Sequence, residues 1–384
     1  MPLKIAASAV LVLRAGHRRT HQPVSAPSSV PPPTALQRLP RLLLTLLIAS
    51  AAGSLCLWLH TPLPWMIGPL LATSLLSVMG VPLQGSRRLR NAGQWIIGIA
   101  LGLYFTPTVA HEVAQLAPWM LLGAAWSLLL GHLFYRWLMA SQPAGTVDAS
   151  TAYFASVLGG ASEMASFAER HGARMDLVAS AHSLRMVIVV VTIPFAYQAA
   201  GIHGADLSLN GQPTELHPLT LAWLSAAALA GSLLMRRLGQ PNPWVLGALA
   251  VTLALGAGGV PLSALPPGLT SVAQVAVGTS LGTRFKADFV RTAPRWLAAV
   301  ALGTFGMIVL AAGYSWSVAR LIGQAPAAML LGHSPGGITE MCLTAKVLQL
   351  GVPLVTAFHV VRFVIVLLLT GPIHARWIAP AARP

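Results

Sequence analysis

Ionisable side chains are scarce in this chain, and six of them fall into two matching sets: Glu163, His182 and Arg185 recur 177 residues later as Glu340, His359 and Arg362. Each glutamate stands three residues after a glycine pair, Gly159-Gly160 or Gly336-Gly337, and beside a hydroxyl residue, Ser162 or Thr339. A glycine pair inside an apolar helical segment breaks the helix and exposes backbone N–H and C=O groups that can hold an ion or an anionic substrate. The i, i+3 spacing of each His and Arg puts them on one face of a helix. Together these residues could bind a substrate or cation at Glu163 and Glu340 and exchange protons there, with His182 and His359 as relays. Two other readings remain open. Each Glu could neutralise the Arg of its own set as a structural ion pair, because a buried Arg needs a partner whatever the function. Two Glu and two His could also hold a first-row metal, although no HExxH or ExxH helix spacing supports that. Cys56 and Cys342 lie in apolar runs without metal-ligand spacing and read as packing residues. No cofactor is implied.

The elements that must carry these residues are hydrophobic. Of 384 residues, 55% are apolar and 9% charged, and the mean hydropathy is +0.70. An ordinary soluble domain is about a quarter charged, so a soluble enzyme is excluded. Apolar segments run from Arg41 to the C-terminal region, at about 42–59, 63–80, 91–105, 116–139, 146–170, 175–199, 218–235, 243–262, 268–283, 296–320, 325–350 and 352–376. The chain therefore reads as an all-α polytopic integral membrane protein. Residues 1–40 differ: a short apolar stretch, three arginines and a Pro/Ser-rich run predict a disordered basic extension outside the fold.

The segments repeat. Pro64-Trp65-Met66-Ile67-Gly68 returns as Pro243-Trp244-Val245-Leu246-Gly247, and Gln94, Gly98 and Leu101-Gly102 return as Gln274, Gly278 and Leu281-Gly282. The repeats span 41–200 and 216–378. Lys and Arg mark cytoplasmic loops, and they swap between the halves. Arg87, Arg88 and Arg90 precede the third segment, whereas in the second half Arg284, Lys286, Arg291 and Arg295 follow the equivalent segment. The halves thus face opposite ways, which requires an odd number of crossings in each. The segments at 146–170 and 325–350 are expected to be re-entrant hairpins turning at their glycine pairs. That leaves about ten transmembrane helices, with both termini cytoplasmic. In the alternative, the Gly-Gly elements are broken helices that do cross.

The Pro-Trp openings at Pro64 and Pro243, the glycine-rich segments at Gly98 and Gly278 and the two GGxxEM blocks at 159–164 and 336–341 resemble the Gram-negative AbrB family of membrane proteins. The resemblance covers residues 40–378. It implies a duplicated hydrophobic domain in the inner membrane and carries two labels, regulator of aidB expression and ammonia monooxygenase. It transfers no catalytic residue. Inverted repeats with interrupted segments are the parts of an alternating-access carrier, and Arg185 with Arg362 points to an anionic solute. An effect on gene expression would then be indirect. A DNA-binding regulator needs an exposed basic module, and most Lys and Arg here belong to cytoplasmic loops, so no nucleic acid is expected as a direct partner. The expected partners are the lipid bilayer and an unidentified small solute; assembly with further copies of the chain is left open. A membrane sensor that does not transport is the alternative, and a monooxygenase is disfavoured by the ligand set.

Overall fold

In a computed structural model, residues 35–204, 212–285 and 293–378 are described, with side chains from Arg38 onward. The chain divides into two units, 1–39 and 40–384. Of the first, only the helical start at Ala35 is described, so the rest of the expected disordered extension lies outside the described residues, as do Lys286 and Arg291.

The described residues form fifteen α-helices and no strand. In the first half these are α1 (Ala35–Trp58), α2 (Pro64–Val78), α3 (Arg87–Gly102), α4 (Pro107–Gln115), α5 (Ala117–Ser141), α6 (Ala149–Ser156), α7 (Ala161–Arg170) and α8 (Met175–Ala199). The second half holds α9 (Pro218–Arg237), α10 (Pro243–Ala257), α11 (Leu269–Gly282), α12 (Pro294–Ile322), α13 (Pro326–His333), α14 (Ile338–Leu348) and α15 (Val352–Ile373), which ends in a π-helical turn, His374–Ile378. Pro64, Pro107, Pro218, Pro243, Pro294 and Pro326 each open a helix, the position where a missing N–H costs nothing and the fixed φ helps. Six helices, α1, α5, α8, α9, α12 and α15, are long and apolar enough to cross a bilayer, or seven spans if α3 and α4, bent by 90°, count as one. The expected count of ten also takes in α2, α3, α10 and α11, which have only 14 to 16 residues. At 1.5 Å per residue these are about 21–24 Å long, less than a hydrocarbon core of about 30 Å.

The halves interlock. Helix α2 packs on α11, and α10 on α3, through glycines that bring backbones into contact. A Cβ at Gly98 would stand 2.5 Å from the carbonyl oxygen of Val245, and one at Gly278 would stand 2.6 Å from that of Met66. With Gly68 against Ala52 and Gly247 against Ser232, the helices form a row in the order α1, α2, α11, α3, α10, α9. The second group also exchanges partners, with α5 on α15 and α12 on α8, and it carries α6–α7 and α13–α14.

Both short pairs are hairpins. The backbone N–H of Arg174, at the start of α8, donates to Thr151 Oγ1 at the start of α6 (2.8 Å), so the entry of α6 lies beside the exit of α7. In the second half a Cβ at Gly351, just past α14, would lie 3.8 Å from that of Ala328 at the start of α13. The tips at 157–160 and 334–337 reach Arg185 and Arg362, eleven residues or about 16 Å further along α8 and α15. The second hairpin is the more deeply packed. All of α14 from Ile338 to Ala345 is buried, whereas α7 buries only Met164 and Ala168.

The glycine crossings generate a stability prediction. Gly98→Val and Gly278→Val should each cost about 1–3 kcal/mol by forcing backbones apart, lowering the Tm of the detergent-solubilised protein. Gly306→Ala, where a Cβ meets nothing within 4 Å, should change stability by no more than about 0.5 kcal/mol.

Candidate functional site

The hairpin breaks are made the same way in both halves. Helix α6 ends at Ser156, with Val157 extended at φ −58°, ψ 137°; α13 ends at His333, with Ser334 at φ −58°, ψ 148°. The carbonyls freed at these C-terminal ends need donors, since no water reaches them in a bilayer. The His–Arg pairs of α8 and α15 supply those donors. His182 Nε2 meets the Phe154 carbonyl at 2.9 Å, Arg185 Nη1 donates to the Val157 carbonyl at 3.0 Å, and Arg185 Nη2 donates to His182 Nδ1 at 3.0 Å. In the second half His359 Nε2 meets the Leu331 carbonyl at 2.9 Å. Arg362 donates to Ser334 and Gly336 carbonyls at 2.5 and 2.7 Å and to His359 Nδ1 at 2.8 Å. A guanidinium has no acceptor, so Nδ1 of each His must accept and Nε2 must carry the hydrogen that goes to the carbonyl. Both imidazoles are thereby neutral and fully engaged. They hold the arginines in place, and neither ring nitrogen is left to relay a proton.

The structural ion pairs between Glu and Arg of one set are not formed. Among the described residues the ion pairs are Arg174–Asp176 and His217–Glu215, both exposed. Arg185 and Arg362 instead rest on backbone carbonyls at helix C-termini, where the helix dipole favours a cation. No three His, Cys, Asp or Glu side chains among the described residues converge as metal ligands.

The GGxxEM block has a packing explanation. Both N-cap glycines have ordinary negative φ, Gly160 at −71° and Gly337 at −84°, so a left-handed turn is not their purpose. They leave room. Glu163 and Glu340, in the first turns of α7 and α14, fold back over Gly160 and Gly337, while the Met164 and Met341 side chains cover Gly159 and Gly336. This is the fold-back of a capping box without the N-cap hydroxyl.

The two tips meet at one cavity of about 100 Å³. Gly159, Gly160, Ser162, Glu163, His182, Arg185, Gly336, Gly337, Thr339, Glu340 and Arg362 all line it; His359 sits behind Arg362 and does not. Five further polar residues line it that the repeat pattern does not mark as site residues: Arg90 and Gln94 of α3, Ser183 of α8, Asn242 at the head of α10, and Arg284 just after α11. Glu163 faces the backbone N–H of Asn242 and the charges of Arg90 and Arg284, and Glu340 also faces Arg284. The charge swap between loops singles out Arg90 and Arg284 in the sequence, but as topology markers.

Comparison with known sequences decides the family, because residues 65–379 match the family described as "Transition state regulatory protein AbrB". The chain belongs to the AbrB family. Among AbrB-like relatives, the Escherichia coli (strain K12) protein named "Putative regulator AbrB" is 26% identical over 333 residues, covering 84% of this chain and 92% of that protein. "Uncharacterized protein YhjN" of Bacillus subtilis (strain 168) is 25% identical over 353 residues, covering 85% and 90%. No solved structure matches.

The clamps can be tested by chemistry at a buried reporter. Lysine is a point charge and cannot replace the fork that spans two carbonyls and an imidazole. Arg362→Lys should therefore cost about 3 kcal/mol. Cys342, which is 0% exposed in α14, should then react with a thiol reagent about a hundredfold faster, at about 1.4 kcal/mol per tenfold.

Proposed function

We propose that this AbrB-family protein is a secondary carrier of a small anionic solute in the inner membrane, with both termini cytoplasmic and its two repeats inverted. The observation that carries this reading is the pairing of hairpin tips, one from each half, on a single polar cavity inside a helical membrane protein. Carriers place their sites at such junctions of interrupted helices. The cavity lies between the row of α1–α3 and α9–α11 and the group that bears the hairpins, so relative movement of the two groups would open it to either side. Its lining counts four arginines (90, 185, 284, 362) against two glutamates (163, 340), a formal surplus of 4 − 2 = 2 positive charges. Glu163 and Glu340 are the groups placed to take up protons as the solute moves, and His182 and His359 position the arginines. No enzymatic step, cofactor or nucleic acid enters the reading.

The burial difference between the hairpins assigns a direction to the present state. Ser162 is exposed and Glu163 half-buried, whereas Thr339 and Glu340 are each only 5% exposed. The cavity therefore communicates along the first hairpin. Arg136, Arg170 and Arg174 flank that hairpin, and by the positive-inside rule they support a cytoplasmic opening on that side. A second reading, a membrane sensor that does not transport, draws on the word "regulator" in the name of the Escherichia coli relative.

Three measurements test the proposal. Single cysteines at Ser86, Gln212 and Pro267, in a background without Cys56 and Cys342, should label from outside at 212 and 267 and stay protected at 86; labelling at both 86 and 267 makes the repeat parallel. In inside-out vesicles Ser162→Cys should react at least about tenfold faster than Thr339→Cys, following their exposure; equal rates would remove the inward-open assignment. In proteoliposomes, Glu163→Gln and Glu340→Gln should each reduce solute-driven current at least about tenfold with normal membrane insertion. Binding without current in the wild type would favour the sensor.

A further inference from the structure

The lining of the central cavity is specific enough to name a class of solute; this inference rests on the carrier reading for its site. Donors dominate one wall. Helices α7 and α14, of ten and eleven residues, both begin at the cavity, and neither Gly160 nor Gly337 supplies a side-chain cap. The first-turn N–H groups at Ala161, Ser162, Ile338 and Thr339 therefore converge there, as at other anion-binding helix N-termini. An independent observation points the same way. Arg185 and Arg362 line the cavity at 3% and 4% exposure, and the Nε of each is buried with no acceptor. An orphaned guanidinium N–H at that depth costs free energy unless a ligand accepts from it. The Ser162 and Thr339 hydroxyls have no partner among the described residues and stand next to these donors.

Apolar side chains complete the lining, among them Val245, Val277, Leu281 and Phe363. An inorganic oxyanion such as phosphate presents oxygens in every direction and would leave some of them unpaired against these side chains. A second negative charge would also face Glu163 and Glu340. The surplus of two cations repels ammonium and other cations. The volume, about 100 Å³, is several times the roughly 10–15 Å³ that admits a single water, room for a small organic molecule. We propose that the cavity binds a short-chain monocarboxylate, with its carboxylate on the paired hairpin tips and its alkyl end on Val245, Val277, Leu281 and Phe363. The two tips offer one anionic group two sets of donors related by the internal repeat, and the apolar part of the lining leaves space for a tail.

The experiment is thermal unfolding of the detergent-purified full chain, titrated at constant ionic strength with sodium acetate, propionate, butyrate and pyruvate. Phosphate, bicarbonate, succinate and ammonium chloride serve as the contrasting set. Monocarboxylates should raise the Tm in a saturable manner, and the contrasting set should not. Ser162→Ala and Thr339→Val, each removing one hydroxyl donor, should weaken apparent affinity for the whole series about three- to tenfold. Leu281→Gln, in the apolar part of the lining, should narrow the preference for butyrate over acetate and leave acetate affinity nearly unchanged. Stabilisation by phosphate, succinate or ammonium equal to that by the monocarboxylates overturns the assignment, and so does the absence of any saturable shift. Binding in detergent needs no transport, so the two readings fail separately. Carboxylate-dependent stabilisation without flux in proteoliposomes sinks the carrier and keeps this site, whereas flux of another solute without such stabilisation sinks this site and keeps the carrier.

Discussion

The structure depends on the clamp between a buried arginine and the open end of a broken helix. Neither part is tolerable alone. A helix that stops in hydrocarbon leaves carbonyls that cost several kcal/mol each if unsatisfied, and an arginine buried there without partners is costlier still. Joined, they cancel: Arg185 and His182 close the end of α6, and Arg362 and His359 close the end of α13, with the same 28-residue reach from Phe154 to His182 and from Leu331 to His359. The histidine is what lets one arginine serve several acceptors, because Nδ1 takes an N–H from the guanidinium and fixes its plane. Once the C-terminal end of the first half-helix is held, the chain must restart within four residues. The N-terminus of the second half-helix then faces the same point in the membrane.

That local solution repeats, and the way the halves interlock determines what it builds. Helix α3 lies against α10 at a spacing set by Gly98 and Gly102, and α11 lies against α2 at one set by Gly278 and Gly282, one repeat against the other. Side chains at those positions would push Arg90, Gln94, Asn242 and Arg284 away from the hairpin tips. The polar cavity is therefore a product of close backbone packing on one side and of arginine clamps on the other. Neither half of the sequence could make it alone.

Much of this was legible in the sequence because scarcity makes pairs conspicuous. In a chain so poor in charge, a Glu, a His and an Arg returning at one offset could hardly be accidental, and eleven of the twelve residues so marked line the cavity. Their chemistry was less legible. The periodicity of α8 shows that His182 and Arg185 share a face, but it does not show that a backbone carbonyl waits opposite. A Glu–Arg ion pair within each set is one of the readings the sequence leaves open, and the structure pairs Arg with carbonyls instead. A glycine pair in an apolar segment points to a turn, whereas the φ values of Gly160 and Gly337 are ordinary and the glycines admit the Glu and Met side chains. Arg90 and Arg284 could not be recognised as cavity residues from the repeat, since neither has a basic counterpart in the other half. The span count also exceeds what length alone supports, because α2, α3, α10 and α11 are short.

That missing counterpart bears on mechanism. With the offset of 180 that aligns Gln94 with Gln274, Arg90 falls on Thr270 and Arg284 falls on Tyr104. In the proposed inverted repeat, the row of helices therefore presents two arginines to the cavity on the cytoplasmic side and none at the equivalent outer positions. Arg185, Arg362, Glu163 and Glu340 travel with the hairpin group and sum to zero formal charge. Facing inward, the same site gains Arg90 and Arg284 and sums to plus two. An anion held by the moving group would lose two cations on its way outward, so its affinity would be lower at the outer face. Protonation of Glu163 or Glu340 restores the balance, one charge per proton. Proton uptake at these carboxylates is thus the step that would let an outward-facing site retain an anion, and it ties the carboxylates of the GGxxEM blocks to the arginines of the scaffold.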